Sequence, residues 1–225
     1  MTIRLNKFLA ESLGVSRREA DDLIVAGKIL VDEKPAVLGL RIDKNNKVCY
    51  NGKIVPFDVG YVYLALNKPA GYVCSRKRQG EFPTIYELSP EKYHALKTVG
   101  RLDKDSSGLI LLTNDGDFAF RMTHPSFVKT KVYEVKLDRM LEPLHQQMIA
   151  DFGIDLPDGR SQLGLEKLDD QRKKWRVTMT EGRNRQIRRT FGALGYTVVK
   201  LHRTDFGAYH LDGLKSGKFV EVKKA

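Results

Sequence analysis

Residues 100–113 read Gly-Arg-Leu-Asp-Lys-Asp-Ser-Ser-Gly-Leu-Ile-Leu-Leu-Thr. A polar loop bracketed by Gly100 and Gly108 runs straight into an apolar stretch, Leu109 to Thr113. Four consecutive aliphatic residues bounded by turn formers predict a short strand buried on both faces. Asn114-Asp115-Gly116 closes it as a turn. The loop itself carries two carboxylates, Asp103 and Asp105, two positions apart. Three chemistries fit that spacing. A calcium loop would use Asp103, Asp105, Ser107 and Gly108 at its first, third, fifth and sixth positions, but Asn114 stands where the bidentate Glu belongs. A tight turn would use Asp and Ser to satisfy its own backbone. A catalytic loop would aim one carboxylate as base or nucleophile.

Outward from this segment the pattern stays mixed. Tyr61 to Leu66 reads as a strand ended by Asn67-Lys68-Pro69. Asp117 is placed to cap a short helix running through Met122. Val132 to Val135 is another strand, and Trp175, Val177 and Met179 alternate with polar residues as in a half-buried strand. From Arg185 the period becomes helical, with Ile187, Phe191 and Leu194 on one face and Gly195 as a stop. Tyr196 to Leu201 returns to strand. Toward the N-terminus, Leu5, Leu9 and Leu13 share a helical face. Ser16 and Glu19 form a capping box for a second helix that buries Ala20, Leu23 and Ile24 and ends at Gly27. Short strands follow around residues 28–31 and 47–50, the second before an Asn51-Gly52 turn. A boundary falls near Pro56–Gly60. The expected architecture is α+β, with a small helix-pair and strand domain over residues 1–56. A mixed, mainly antiparallel sheet domain with flanking helices occupies 60–225.

The 225 residues carry a formal charge of +11, and residues 171–225 alone account for +10 of it. Such a basic region implies a polyanionic partner. The densest point is Gly182 to Arg189, with four arginines in eight residues. Arginine suits this work because its planar fork binds phosphate bidentately and stacks on bases. No apolar run approaches the roughly 20 residues a membrane span needs, and the first residues lack the apolar core of a secretory signal. The two cysteines, Cys49 and Cys74, are isolated, which excludes a disulfide framework. The five histidines show no ligand spacing, so no metal site is expected. These features lead to the expectation of a cytoplasmic protein.

Two resemblances sharpen this reading. The stretch RLNKFLAESLGVSRREADDLIVAGKILVDEKPA resembles an S4 RNA-binding domain. That resemblance makes Arg4, Lys7, Arg17, Arg18 and Lys28 candidate RNA contacts. The string GRLDKDSSGL resembles the catalytic motif of the RNA pseudouridine synthases, in their RsuA-like branch. Lys68-Pro69-Ala70-Gly71, Lys131-Val132-Tyr133 and Glu181 to Arg189 resemble three further motifs of that family, in the expected order. The resemblance implies an rRNA-modifying isomerase that needs no cofactor. It implies Asp103 as the catalytic aspartate, Tyr133 as a platform for the target base, and Arg188 as the partner that orients Asp103. Arg101, Leu102 and Leu201 would border the pocket, while Asp105 would stabilise the turn. Lys68, Lys131, Arg183, Arg185, Arg189 and Arg203 would contact RNA. The partner would be ribosomal RNA or an assembling subunit, and the expected state is a monomer. The Leu201-His202-Arg203 wording leans toward small-subunit 16S rRNA, the Glu181 to Gln186 wording toward large-subunit 23S rRNA, and the balance slightly favours the former. The alternative is a non-catalytic RNA-binding or ribosome-assembly protein that uses the same surface.

Overall fold

A computed structural model describes residues 2–57 and 60–225. At the N-terminus, β1 (Ile3–Arg4) leads into α1 (Leu5–Ser12) and α2 (Arg17–Val25). The capping box forms as the sequence predicts: Ser16 Oγ accepts from the Glu19 amide at 3.1 Å, and Glu19 returns a carboxylate to the Ser16 amide at 2.6 Å. Then come β2 (Ile29–Val31), β3 (Lys34–Pro35), β4 (Arg41–Ile42), β5 (Val48–Tyr50) and β6 (Lys53–Ile54). Asn51 and Gly52 both take positive φ, the geometry a tight hairpin requires. The helix pair and the β3-β2-β5-β6 sheet enclose one core, built on Leu5, Phe8, Leu9, Ile24 and Ile29. Of the expected boundary segment, Asp58 and Val59 lie outside the described residues.

The remainder is built on a large sheet. Its strands are β7 (Tyr63–Lys68), β8 (Lys97–Val99), β9 (Ser107–Thr113), β10 (Lys131–Leu137), β13 (Gly164–Lys167), β14 (Lys174–Met179), β15 (Val198–Phe206), β16 (Tyr209–His210) and β17 (Phe219–Glu221). Between β10 and β13 lie the short helix α4 (Pro143–Gln147) and a hairpin of β11 (Ile154–Leu156) and β12 (Gly159–Ser161). The spatial order is β13-β14-β10-β15-β9-β7-β17, with β8 and β16 added on β9 and β15. α3 (Gly116–Thr123) follows β9, and α5 (Gln186–Ala193) precedes β15. This is the α+β, mainly antiparallel arrangement that the sequence predicts.

The apolar run 109–112 is continuous because β9 is covered on both sides. Leu109 and Leu111 pack with Phe118, Met122 and Phe206, whereas Ile110 and Leu112 join the larger cluster of Tyr133, Trp175, Ile187 and Phe191. β14 shows strict alternation because only one of its faces is buried. Three local expectations change: β7 runs on through Asn67 and Lys68, β15 runs on from Leu201 to Phe206, and the helix after β9 has another cap. The cap of α3 is Asp115, not Asp117: the Asp115 side chain accepts from the Phe118 amide at 2.9 Å. Asp115 is buried and also takes hydrogen bonds from the Tyr63 hydroxyl and Lys224 Nζ. Asp117 instead receives Lys7 Nζ at 2.6 Å, which ties α1 to α3.

Among the described strands, β9 and β15 are the one parallel pair, joined at His202 opposite Ser107 and Arg203 opposite Gly108. Gly108 has φ +107°, and a Cβ there would lie 2.2 Å from the Arg203 carbonyl oxygen and 2.5 Å from its nitrogen. Neither backbone can retreat without breaking the sheet. The variant Gly108→Ala is therefore expected to lose about 2–4 kcal/mol of stability, measured by urea unfolding. A variant as stable as the parent would disprove the close approach.

Candidate active site

The loop 100–106 is held from beneath by a buried cation. Lys68, at the end of β7, has no exposed surface. Its Nζ donates to the carbonyls of Ser106 at 2.6 Å and of Asp103 and Pro69 at 3.0 Å each. The Gly71 amide adds a bond to the Lys104 carbonyl at 2.7 Å. Burial pushes the Lys68 ammonium below the ordinary lysine pKa, against the pull of Asp103 and Asp105. The expected RNA contact at Lys68 is thus replaced by an internal clamp: two of its protons go to the loop it shapes and the third to the neighbouring Pro69 carbonyl.

Above the loop lies the N-terminus of α5. Arg185 sits at the helix cap with φ +47°. Its guanidinium reaches Asp105 with bonds of 3.0 and 3.1 Å and Asp103 Oδ2 at 3.4 Å. Arg188, one turn on, lies with Nε 3.3 Å from Asp105 Oδ2 and donates to the carbonyls of Asp105 and Val198. The expected Arg188–Asp103 pair is therefore not the one formed here. Arg188 points to the base of the loop because Val198 and Asp105 consume its donors. Arg185, nearer the opening, meets Asp103. Burial raises the Asp105 carboxyl, but the Arg185 hydrogen bond and the Arg188 charge outweigh it and hold Asp105 below the usual carboxylate range. Burial draws Arg188 below its ordinary value.

Asp103 opens into a cleft of about 880 Å³. Leu102, Tyr133, Met179, Ile187 and Leu201 line it and are nearly fully buried. Tyr133 comes from β10, Leu201 from β15 and Ile187 from α5. Arg101 lies exposed on the wall. The sheet thus gathers Asp103, Arg101, Leu102, Tyr133 and Leu201 around one cavity, and α5 adds the cations. An apolar wall facing one carboxylate and an arginine suits a planar, neutral ring with a reacting centre at its edge.

Several expected RNA contacts have other occupations. Arg183 donates to Asp158, Glu181 and the carbonyls of Gly159 and Arg160, and Arg189 pairs with Asp158 at 2.7 Å. Both serve to attach α5 to the β11–β12 turn, a role for Asp158 that no motif signalled. Arg203 is buried, with Nε donating to the Leu109 carbonyl at 2.8 Å, so only its edge meets the cleft. Lys131 Nζ is bonded to the Thr180 and Glu181 carbonyls, and burial lowers its pKa. Lys7 is engaged by Asp117. Arg4, Arg17, Arg18 and Lys28 stay exposed. Cys74 and His202, which no motif of the sequence ties to the loop, also border it. The Cys74 thiol donates to the Leu102 carbonyl, and the His202 ring bonds Ser107 Oγ at 2.8 Å.

The clamp reading of Lys68 has a direct test. Lys68→Met leaves the Ser106 and Pro69 carbonyls without a donor, the Asp103 carbonyl keeping only the Ser106 amide, and is expected to cost about 2–4 kcal/mol in urea unfolding. Lys104→Met, exposed on the same loop, should stay within about 0.5 kcal/mol of the parent. Equal effects would show that Lys68 is not the clamp.

Comparison with known proteins bears on this geometry. Residues 62–193 match the family model described as RNA pseudouridylate synthase, and residues 3–48 match that of the S4 domain. The ribosomal small subunit pseudouridine synthase A of Pasteurella multocida is 37% identical over 215 residues, 93% of this chain and 91% of the relative. The ribosomal large subunit pseudouridine synthase B of Bacillus subtilis is 34% identical over 225 residues, 97% and 91% of the two chains. A pseudouridylate synthase crystal structure superposes with a TM-score of 0.69 at 31% identity, covering 98% of this chain and 96% of the other. With its fold, its cleft and these likenesses in agreement, the chain belongs to the RNA pseudouridine synthase family, in the form that carries an N-terminal S4 domain.

Proposed function

We propose that this protein converts one uridine of ribosomal RNA to pseudouridine, with Asp103 as the catalytic group. The observation that carries the proposal is the position of Asp103, a half-exposed carboxylate at the mouth of a cleft walled by Tyr133, Leu102 and Leu201. The reaction breaks the N1–C1′ bond, turns the uracil and rejoins it through C5; the C5 hydrogen leaves as a proton, N1 takes one up from solvent, and the composition of the nucleoside is unchanged. One carboxylate suffices, by attacking C1′ or the base or by taking a ribose proton. The uridine must leave its stack at a cost of a few kcal/mol, and a Tyr133 ring against its face returns about 1–3 kcal/mol. In the free protein the Arg185–Asp103 pair is solvent-screened and contributes little. RNA closing over the cleft removes that solvent and strengthens the hold on the carboxylate. Arg188 keeps the loop in shape from below, and Arg101 borders the entering nucleotide.

In this reading residues 60–225 form the catalytic domain. Residues 1–56 dock on structured RNA through Arg4, Arg17, Arg18 and Lys28. The protein works as a cytoplasmic monomer. Among the described residues, no helix is long and apolar enough to cross a membrane. Small-subunit 16S rRNA is the first substrate to supply and large-subunit 23S rRNA the second, each free and in partly assembled particles.

Tritium release from uridine C5 measures turnover. Asp103→Asn is expected to lower it about a thousandfold or more while RNA affinity stays within about twofold. Normal turnover by the variant would remove Asp103 from the mechanism. No release by the parent from any substrate, with tight RNA binding, would favour the assembly-protein reading. Docking is tested separately. Replacing Arg4, Arg17, Arg18 and Lys28 together by Gln should flatten the slope of log affinity against log salt by about 3. An unchanged slope would place the RNA elsewhere.

A further inference from the structure

We propose that the exposed aromatic cluster Phe120, His124 and Phe127 is a stacking platform for RNA bases beside the target uridine, on the path from the N-terminal domain to the cleft. The proposal rests on the RNA-modifying reading above. Phe120 is 52% exposed and Phe127 41%. Their rings and that of His124 hold one another in place, with centroids 4.6 Å apart for Phe120–His124 and 5.8 Å for Phe120–Phe127. Exposed rings that order each other rather than joining a core present a rigid π surface at low entropic cost. The next residue, Val128, is 65% exposed and has φ +38°, a left-handed conformation that a β-branched side chain adopts only under strain.

Position and charge select the occupant. His124 and Val128 line the cleft that holds Asp103, so the platform is continuous with the site. At the other end of α3, Asp117 is bound by Lys7 of α1. The eight residues of α3 span about 12 Å, the length of three to four stacked nucleotides at about 3.4 Å each. Residues 118–133 contain Arg121, Lys129 and Lys131 and no acidic residue. An aromatic surface whose own segment, 118–133, adds cations and no acid fits single-stranded nucleic acid, whose backbone is anionic and whose every base has a π face. An apolar or acidic protein partner would leave those cations or rings without purpose.

The test uses the full chain and two oligouridylate 12-mers, each carrying 2-aminopurine on one side of the central uridine. Binding to the parent is expected to quench at least one probe. Phe120→Ala/Phe127→Ala should weaken affinity about tenfold or more with the salt slope unchanged, because stacking releases no counterions. Phe120→Trp/Phe127→Trp should restore both affinity and quenching. Arg121→Gln/Lys129→Gln should instead flatten the slope by about 1.4. Parent-like binding and quenching by the alanine pair would overturn the proposal, as would a loss of slope in that pair equal to the charge variant's. The readout needs no turnover. Absent tritium release would therefore dismiss the synthase reading alone, and unaltered binding by the alanine pair would dismiss the platform alone.

Discussion

Where β9 and β15 run parallel, the backbone of Gly108 lies against that of Arg203 with no room for a side chain. This contact decides where the loop 100–106 ends and β9 begins, because only glycine can enter the sheet there. It also brings β15 and its Leu201 to the same opening as the loop. β10 lies on the far side of β15 and delivers Tyr133. The cavity is thus a consequence of strand order: residues from positions 102, 133, 187 and 201 meet because their elements are neighbours.

Electrostatics completes the site from two directions. Lys68 approaches from inside the protein and spends its charge on carbonyl oxygens, which fixes the backbone on which Asp103 and Asp105 stand. Arg185 approaches from the solvent side, while the mostly buried Arg188 reaches the base of the loop. Asp105 absorbs most of their charge through Arg185 and Arg188, and Asp103 receives only the outer edge of Arg185. That division leaves one carboxylate structural and the other available. Asp158 does for α5 what Asp105 does for the loop, holding Arg183 and Arg189 so that the helix keeps its angle to the sheet.

The basic excess of the C-terminal region is consequently less free than its composition implies. Four arginines in one short segment suggest an open phosphate-binding surface. In the fold, Arg183, Arg188 and Arg189 are largely committed to carbonyls and to Asp105 or Asp158. A dense basic stretch carries no information about which of its members face inward, because the acids that bind them come from segments up to about 80 residues away in sequence.

Much of the molecule was legible in the chain by itself. The capping box at Ser16 and the glycine stops depend on contacts within a few residues, and the alternation of β14 and the apolar run of β9 are patterns written within one short segment each. The loop with Asp103 was legible too, as one of four motifs in order. What the sequence left open were the roles of long side chains. Lys68 reads as an RNA contact and is an internal clamp; Arg188 reads as the partner of Asp103 and meets Asp105; Arg203 reads as an RNA contact and is buried. Their motifs locate the backbone, but a lysine or arginine reaches several ångströms beyond it, and which acceptor it finds depends on strands paired far apart in sequence. Local periodicity and turn chemistry therefore determined the elements, while tertiary packing decided which charge serves the fold and which remains for the substrate.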